Sequence, residues 1–272
     1  MNLPVFPIFR LSQAHLNLLA TCPRKFQHTY LEQLAAPSDP EQQERMSQGS
    51  RFHLLMQQWQ LGLPVESIAQ SDPQLQQWFS AFVASAAEIL KLDDRLPSLA
   101  QSEHPRTLEF EGYLLTVVYD LLLLDDQQAK ILDWKTYPRP RKTDWLLQNW
   151  QTRLYRFVLA ETSSYAPEQV SMVYWFFQSK GDRATTPEPQ SVRLSYDRAQ
   201  HEQTRQDLKL LLRQLFQWLE QYRQGNSFPQ VELGAEACER CSFAVRCDRS
   251  ADLDLPTSIA LPSFAEIQEV AL

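Results

Sequence analysis

The stretch TLEFEGYLLTVVYDLLLLDDQQAKILDWKT (107–136) decides the fold. Its two apolar runs are separated by Asp125-Asp126-Gln127-Gln128, and the whole reads as three strands with DDQQ as a hairpin turn. Side chains two apart in a strand share a face. In AKILDWKTYP (129–138), Asp133 and Lys135 therefore point together, with Leu132 and Trp134 on the other side. Burying a charge without a partner is costly, so this pair needs partners or a task.

Asp120 lies in the preceding strand, and a turn at 125–128 sets it opposite Asp133. Two carboxylates side by side repel unless a cation or a proton lies between them. Lys135 offsets part of that charge, and a Mg²⁺ or Mn²⁺ ion with oxygen ligands would offset the rest. A buried Asp–Lys salt bridge, with Asp120 capping a bulge, fits the same letters. The chain also repeats the triplet as Asp207-Leu208-Lys209. That copy falls in a helical stretch, where residues two apart diverge, and reads as solvated surface.

Outward from the strands the chain is mainly helical. Apolar spacing predicts helices over 12–34, 42–61 and 73–92, followed by a loop, DDRLPSLAQSEHP (93–105). After the strands come a helix over 143–162, a buried strand over 169–178, a Pro-rich loop, a short strand over 190–197 and a helix over 197–224. The order gives a mixed α/β core with helical additions at both ends. His53, in QGSRFHLLMQQW, sits on the apolar side of its helix and by itself reads first as a satisfied core histidine. Gln151 and Tyr155 are four apart and share a helix face.

The chain's 272 residues can bury a full core, 43% of them are hydrophobic, and the net charge is −7. That charge argues against a general polyanion coat but leaves room for a local basic groove. Between 135 and 156, Lys135, Arg139, Arg141, Lys142, Arg153 and Arg156 face only Asp144, with Trp145, Trp150 and Tyr155 among them. This suits a groove that tracks phosphates and stacks bases, and equally a solvated helix face. No membrane-length apolar run and no signal peptide stand out, so a cytoplasmic location is the default expectation. In a reducing compartment the four cysteines are not expected to form disulfides. Cys238, Cys241 and Cys247 make C-x2-C-x5-C, and Cys22 stands far from them. Four thiolates suit Zn²⁺ or an iron–sulfur cluster, and the spacing leaves both open.

Together these pieces resemble a PD-(D/E)XK nuclease of the RecB/AddB type, and more narrowly its iron–sulfur branch, which includes the CRISPR-adaptation exonucleases. The resemblance rests on LLATCPRKFQHTYL, QGSRFH, VVYD, ILDWKT, QTRLY and CERCSFAVRC, in that order over 12–247. It implies a restriction-endonuclease-like mixed-sheet core with an N-terminal helical insertion and a C-terminal cysteine segment. One nuclease domain would span 1–250, divided at 106 and 196, with 251–272 as an acidic tail.

Carried over by position, the resemblance makes His53, Asp120, Asp133 and the Trp134 carbonyl ligands of a catalytic Mg²⁺ or Mn²⁺. Lys135 would orient or activate the attacking water, with Gln151 and Tyr155 beside it, and Glu103 is a looser match for a further acid. A glycine common in the family three residues before the first aspartate is Val117 here. Cys22, Cys238, Cys241 and Cys247 would hold a [4Fe–4S] cluster in preference to Zn²⁺. The expected substrate is DNA, as single strands or ends, in repair or recombination, with a helicase or repair-complex partner and no membrane. A non-catalytic DNA-binding subunit and a CRISPR-adaptation nuclease are the alternatives.

Overall fold

The computed structural model describes residues 10–34, 40–92, 95–178, 189–239 and 241–249. The acidic tail at 251–272 and most of the Pro-rich loop lie outside the described residues. The first elements are β1 (Arg10–Leu11), α1 (Gln13–Thr21), α2 (Pro23–Phe26), a π-helical turn (Gln27–Leu31), α3 (Pro40–Gln60), α4 (Glu66–Gln70) and α5 (Pro73–Ile89). They are followed by β2 (Leu99–Phe110), β3 (Tyr113–Leu124), β4 (Ala129–Pro138), α6 (Asp144–Gln148), α7 (Trp150–Glu161), β5 (Val170–Gln178), β6 (Gln190–Ser195), α8 (Arg198–Arg223) and α9 (Glu236–Glu239).

The six strands form one mixed sheet. Its order is β1-β3-β4-β5-β6, with β2 paired along β3. The β2–β3 hairpin turns on Glu111 and Gly112, at φ 50° and 79°, the two positive dihedrals that a two-residue hairpin needs. The β3–β4 turn closes as read, because Asp125 Oδ1 accepts the Gln127 and Gln128 amides, each at 2.8 Å.

Helices cover both sheet faces. On one, α1, α2, α7 and α8 pack over Leu115, Tyr119, Ile131, Met172 and Tyr174. On the other, α3, α4 and α5 pack over Leu121, Leu132, Trp134, Val173 and Phe177. Along β3 the alternation slips at Asp120: Val117 and Tyr119 belong to the first face, Leu121 and Leu123 to the second, and Leu122 and Leu124 to the first again. The run of leucines is therefore buried on both sides.

Three expectations are corrected. Residues 99–105, read as loop, belong to β2. The helix at 12–34 breaks at Cys22, which is extended because Pro23 follows it. The helix at 143–162 breaks at Asn149, whose side chain accepts the Gln151 amide at 2.8 Å. Asn17 of α1 completes this cap, accepting from the Trp150 amide at 3.0 Å and donating to Asn149 at 3.2 Å. The start of α7, and with it Gln151, is thereby fixed against the sheet.

Candidate active site

Glu103, Asp120 and Asp133 stand in one row across β2, β3 and β4, and both ladders fail at that row. Pairing of β2 with β3 skips from Ser102–Leu121 to His104–Tyr119, and that of β3 with β4 ends at Leu121–Leu132. Glu103 takes a φ of 48°, a conformation that costs a non-glycine residue on the order of 1–3 kcal/mol and re-aims its side chain. Asp120 Oδ2 accepts the Trp134 amide at 2.7 Å, replacing the strand-to-strand bond that β4 no longer makes.

A strand has two edges, and β2 pairs along one edge of β3 on either side of Asp120. On the other, β1 reaches Leu114 and Leu115 while β4 reaches only Leu121–Leu124. The notch between them would leave backbone groups unpaired, which buried structure rarely tolerates. From α7, the Tyr155 hydroxyl bonds the Val118 backbone there. Its ring meets Tyr119 edge-on, and its own carbonyl accepts the Tyr119 hydroxyl at 3.0 Å. Burial raises the Tyr155 pKa, so the phenol stays neutral.

Asp133 is 1% exposed and held from two sides. Gln151 Nε2 donates to its Oδ2 at 2.6 Å, Lys135 Nζ lies 2.6 Å from its Oδ1, and Lys135 also donates to Gln151 Oε1 at 3.0 Å. The Asp133 carboxyl pKa is raised, first by burial and then by Asp120, against the pull of Lys135. Burial would lower the Lys135 pKa, but the Asp133 charge more than offsets this and raises it. Lys135 is thus an ammonium at neutral pH, a donor and a positive charge but not a base. Lys135 and Gln151 thus take one Asp133 oxygen each.

From the other side of the sheet, α3 brings His53 to the same opening. Gly49 permits the approach, since a Cβ there would lie 3.2 Å from Thr136 Oγ1. His53 Nδ1 is 3.3 Å from Asp120 Oδ1, and Nε2 is 3.2 Å from the Trp134 carbonyl. Both neighbours are acceptors, so the imidazolium alone satisfies both. Burial pulls its pKa down, but the hydrogen bond and charge of Asp120, with Asp133 and Glu103, outweigh this and lift it to about 9.

Ligand atoms of His53, Glu103 and Asp120 all lie within 4.8 Å of one another. Of the expected ligand set, His53 and Asp120 are gathered with Glu103, the Trp134 carbonyl lies against the other nitrogen of His53, and Asp133 turns toward Lys135 and Gln151. An imidazole, carboxylates and a carbonyl form a hard, oxygen-rich donor set that fits Mg²⁺ or Mn²⁺. A metal bound there displaces the proton of His53. Divalent-metal affinity is therefore expected to rise about tenfold per pH unit from pH 6.5 to 8.5 and to level off near pH 9. Calorimetry in two buffers of different ionisation enthalpy checks this. A flat affinity with no buffer dependence would remove His53 from the ligand set.

The basic stretch divides in two. Arg156 is 2% exposed and bonds the Ser195 carbonyl at 2.6 Å, Gln200 Oε1 and the Thr152 carbonyl, both at 3.1 Å. Arg153 pairs with Asp207 and lies 4.5 Å from the Trp150 ring centre. Because α8 packs over this helix, the expected basic face of α7 is corrected to structural pairing. In the helical copy of the triplet, Asp207 pairs with Arg153 and Lys209 with Glu111, not with each other. Arg139, Arg141 and Lys142 remain exposed on the loop after β4, with no ion pair among the described residues. Tyr137 and Trp145 flank them, 41% and 45% exposed.

At the far end, Cys22, Cys238, Cys241 and Cys247 line one small cavity with Lys25, Phe243 and Arg249. Burial raises the Cys247 thiol pKa, and the other three thiols add to it against Arg24. The Arg249 Nε is buried without an acceptor. Four thiols beside Lys25 and Arg249 fit a thiolate-held group, zinc or iron–sulfur. Arg24 donates to the Phe228 carbonyl at 2.7 Å, and Gln27 accepts the Phe228 amide at 2.6 Å, so the chain's two ends also meet directly.

A family model described as PD-(D/E)XK nuclease superfamily matches residues 10–248. The crystal structure of a "Putative exonuclease" from Eubacterium rectale aligns with a TM-score of 0.52 at 12% identity, over 92% of this chain and 91% of that one, a likeness of fold. The crystal structure of SSO0001 aligns at 0.39 and 13% identity, over 91% of this chain and 90% of that one. No curated protein matches the chain.

Proposed function

The chain belongs to the PD-(D/E)XK nuclease superfamily, and from that premise we propose that it is a metal-dependent DNA exonuclease of the iron–sulfur branch, acting on single strands or ends in repair or recombination. The observation that supports this best is the buried Asp133–Lys135–Gln151 triangle beside His53, Asp120 and Glu103. A structural salt bridge needs no further acids, and these crowd the row until a cation joins them. A DNA-binding subunit without activity would have no use for the complete set, which disfavours that reading.

A divalent ion held by His53, Asp120, Glu103 and the Trp134 carbonyl, with Asp133 within reach, would polarise the phosphoryl oxygen and acidify water. Lys135 supplies a fixed N–H and a positive charge for the attacking water and the developing phosphate charge. Asp133 and Gln151 hold it in place, and Tyr155 keeps the notch closed behind them. The meeting of all four cysteines at one cavity, with Lys25 and Arg249 beside them, supports a [4Fe–4S] cluster there as part of a single domain. No helix among the described residues is long and apolar enough to cross a membrane.

We assign the strand's path to the loop after β4, where Arg139, Arg141 and Lys142 contact phosphates and Tyr137 and Trp145 stack bases. Replacing the three cations by alanine is expected to weaken single-strand affinity and reduce its log–log salt slope by up to about 2, at roughly 0.7 per phosphate contact. Single-turnover cleavage at saturating protein should change little. Binding titrations from 50 to 200 mM salt decide it, and an unchanged slope rejects the path. Label release as mononucleotides from one end, and not as internal fragments, tests the exonuclease reading.

A further inference from the structure

The π-helical turn Gln27–Leu31 carries His28, 3% exposed, up behind Cys247, one of the cysteines that line the cavity. Single π turns are uncommon and recur at functional sites. His28 Nε2 lies 3.6 Å from Cys247 Sγ, and Nδ1 lies 2.6 Å from Glu32 Oε2. Glu32 is itself tied, by Gln27 Nε2 at 2.6 Å and Arg246 at 3.8 Å. Phe243 packs on the His28 ring with centroids 5.1 Å apart. The ring is thus locked in plane and direction by groups from both ends of the chain.

We infer that His28 is a positioning residue for the cysteine-held group, donating an N–H···S hydrogen bond to Cys247 while Glu32 fixes the ring. A carboxylate faces one ring nitrogen and, when Cys247 is a ligand, a thiolate faces the other. Held at Nδ1 by Glu32 and packed by Phe243, the ring keeps its Nε2 edge aimed at the sulfur. Partners of this kind orient a ligand and tune its electron density, and hydrogen bonds to sulfur are among the groups that set cluster potentials. Arg249, whose buried Nε lacks an acceptor, lines the same cavity and adds to the effect.

The inference rests on the iron–sulfur reading, and the test separates the two. Protein is purified without oxygen, iron and sulfide are counted, and the reduction potential is measured for wild type, His28→Phe, His28→Gln and Glu32→Gln. Losing the donor disfavours the more negative, reduced state. His28→Phe should therefore shift the reduction equilibrium about tenfold toward the oxidised form, 59 mV for one electron. His28→Gln, which keeps an N–H, should recover part of it, and Glu32→Gln should shift it the same way by less. If His28→Phe takes up no iron, Glu32→Gln carries the test, since it leaves the ring and Cys247 in place. Loaded variants with the wild-type potential overturn the role of His28 alone. Wild type that takes up no iron overturns the cluster reading and this inference with it.

Discussion

Replacing Asp120 by asparagine is expected to slow phosphodiester cleavage by roughly 10³-fold or more while leaving the fold in place. The choice of asparagine follows from the structure. Asp120 Oδ2 accepts the buried Trp134 amide, and alanine would leave that donor unsatisfied at a cost of about 1–3 kcal/mol. Asparagine keeps an oxygen for that bond and removes the negative charge. It relieves the repulsion along the row Glu103–Asp120–Asp133 but gives up the charge paired with His53, so thermal stability should change little. A variant cleaving at more than a tenth of the wild-type rate in Mg²⁺ or Mn²⁺ would dismiss Asp120 as a metal ligand.

The second large effect concerns the cysteines. Cys22→Ala and Cys241→Ala should each abolish the brown colour of a [4Fe–4S] protein completely, although far apart in the chain. Three thiolates rarely keep a cluster against solvent and oxygen. Closing so long a loop also restricts the unfolded chain, by analogy with a disulfide worth ~2–5 kcal/mol. The double variant should be little worse than either single one, as expected of residues acting through one unit. Neither should unfold the core, because Arg24 and Gln27 hold Phe228 without the cysteines. Cys22→Ala that stays brown beside a bleached Cys241→Ala would make Cys22 an ordinary buried thiol.

The parts of the site governed by short-range periodicity were legible. Period two alone places Asp133 and Lys135 on one face and Trp134 on the other, and a tight turn at 125–128 alone sets Asp120 and Asp133 in register. The ladder nevertheless ends one pair earlier, because the Asp120 side chain takes the amide that a strand partner would have used. Helical spacing likewise set Gln151 above Tyr155. What spacing could not show was the notch in β3 that gives Tyr155 its task, since the notch depends on where β1 and β4 stop.

Glu103 was obscured by polar and proline residues that resemble a loop, and nothing local announces its left-handed backbone. Arg153 and Arg156 read as a basic face because a charge's burial depends on what packs above it, here α8. The break at Asn149 did leave a signal, a residue suited to capping just before the apolar spacing begins. His28 left none, as its partner Cys247 becomes a neighbour only when the chain's ends meet. Val117, in place of the family's glycine, is 1% exposed and packs on the α7 side of the sheet.

The central claim is that the Asp133–Lys135 pair serves phosphodiester cleavage and is not a plain salt bridge. The most direct test incubates end-labelled single- and double-stranded DNA with Mg²⁺, Mn²⁺ or EDTA, using wild type beside Lys135→Ala of matched thermal stability. Wild type should release label progressively from an end, only with metal and faster on single strands, and Lys135→Ala should be slower by roughly 10²–10³-fold. Wild type inert with either metal, or Lys135→Ala as active as wild type, would contradict the account.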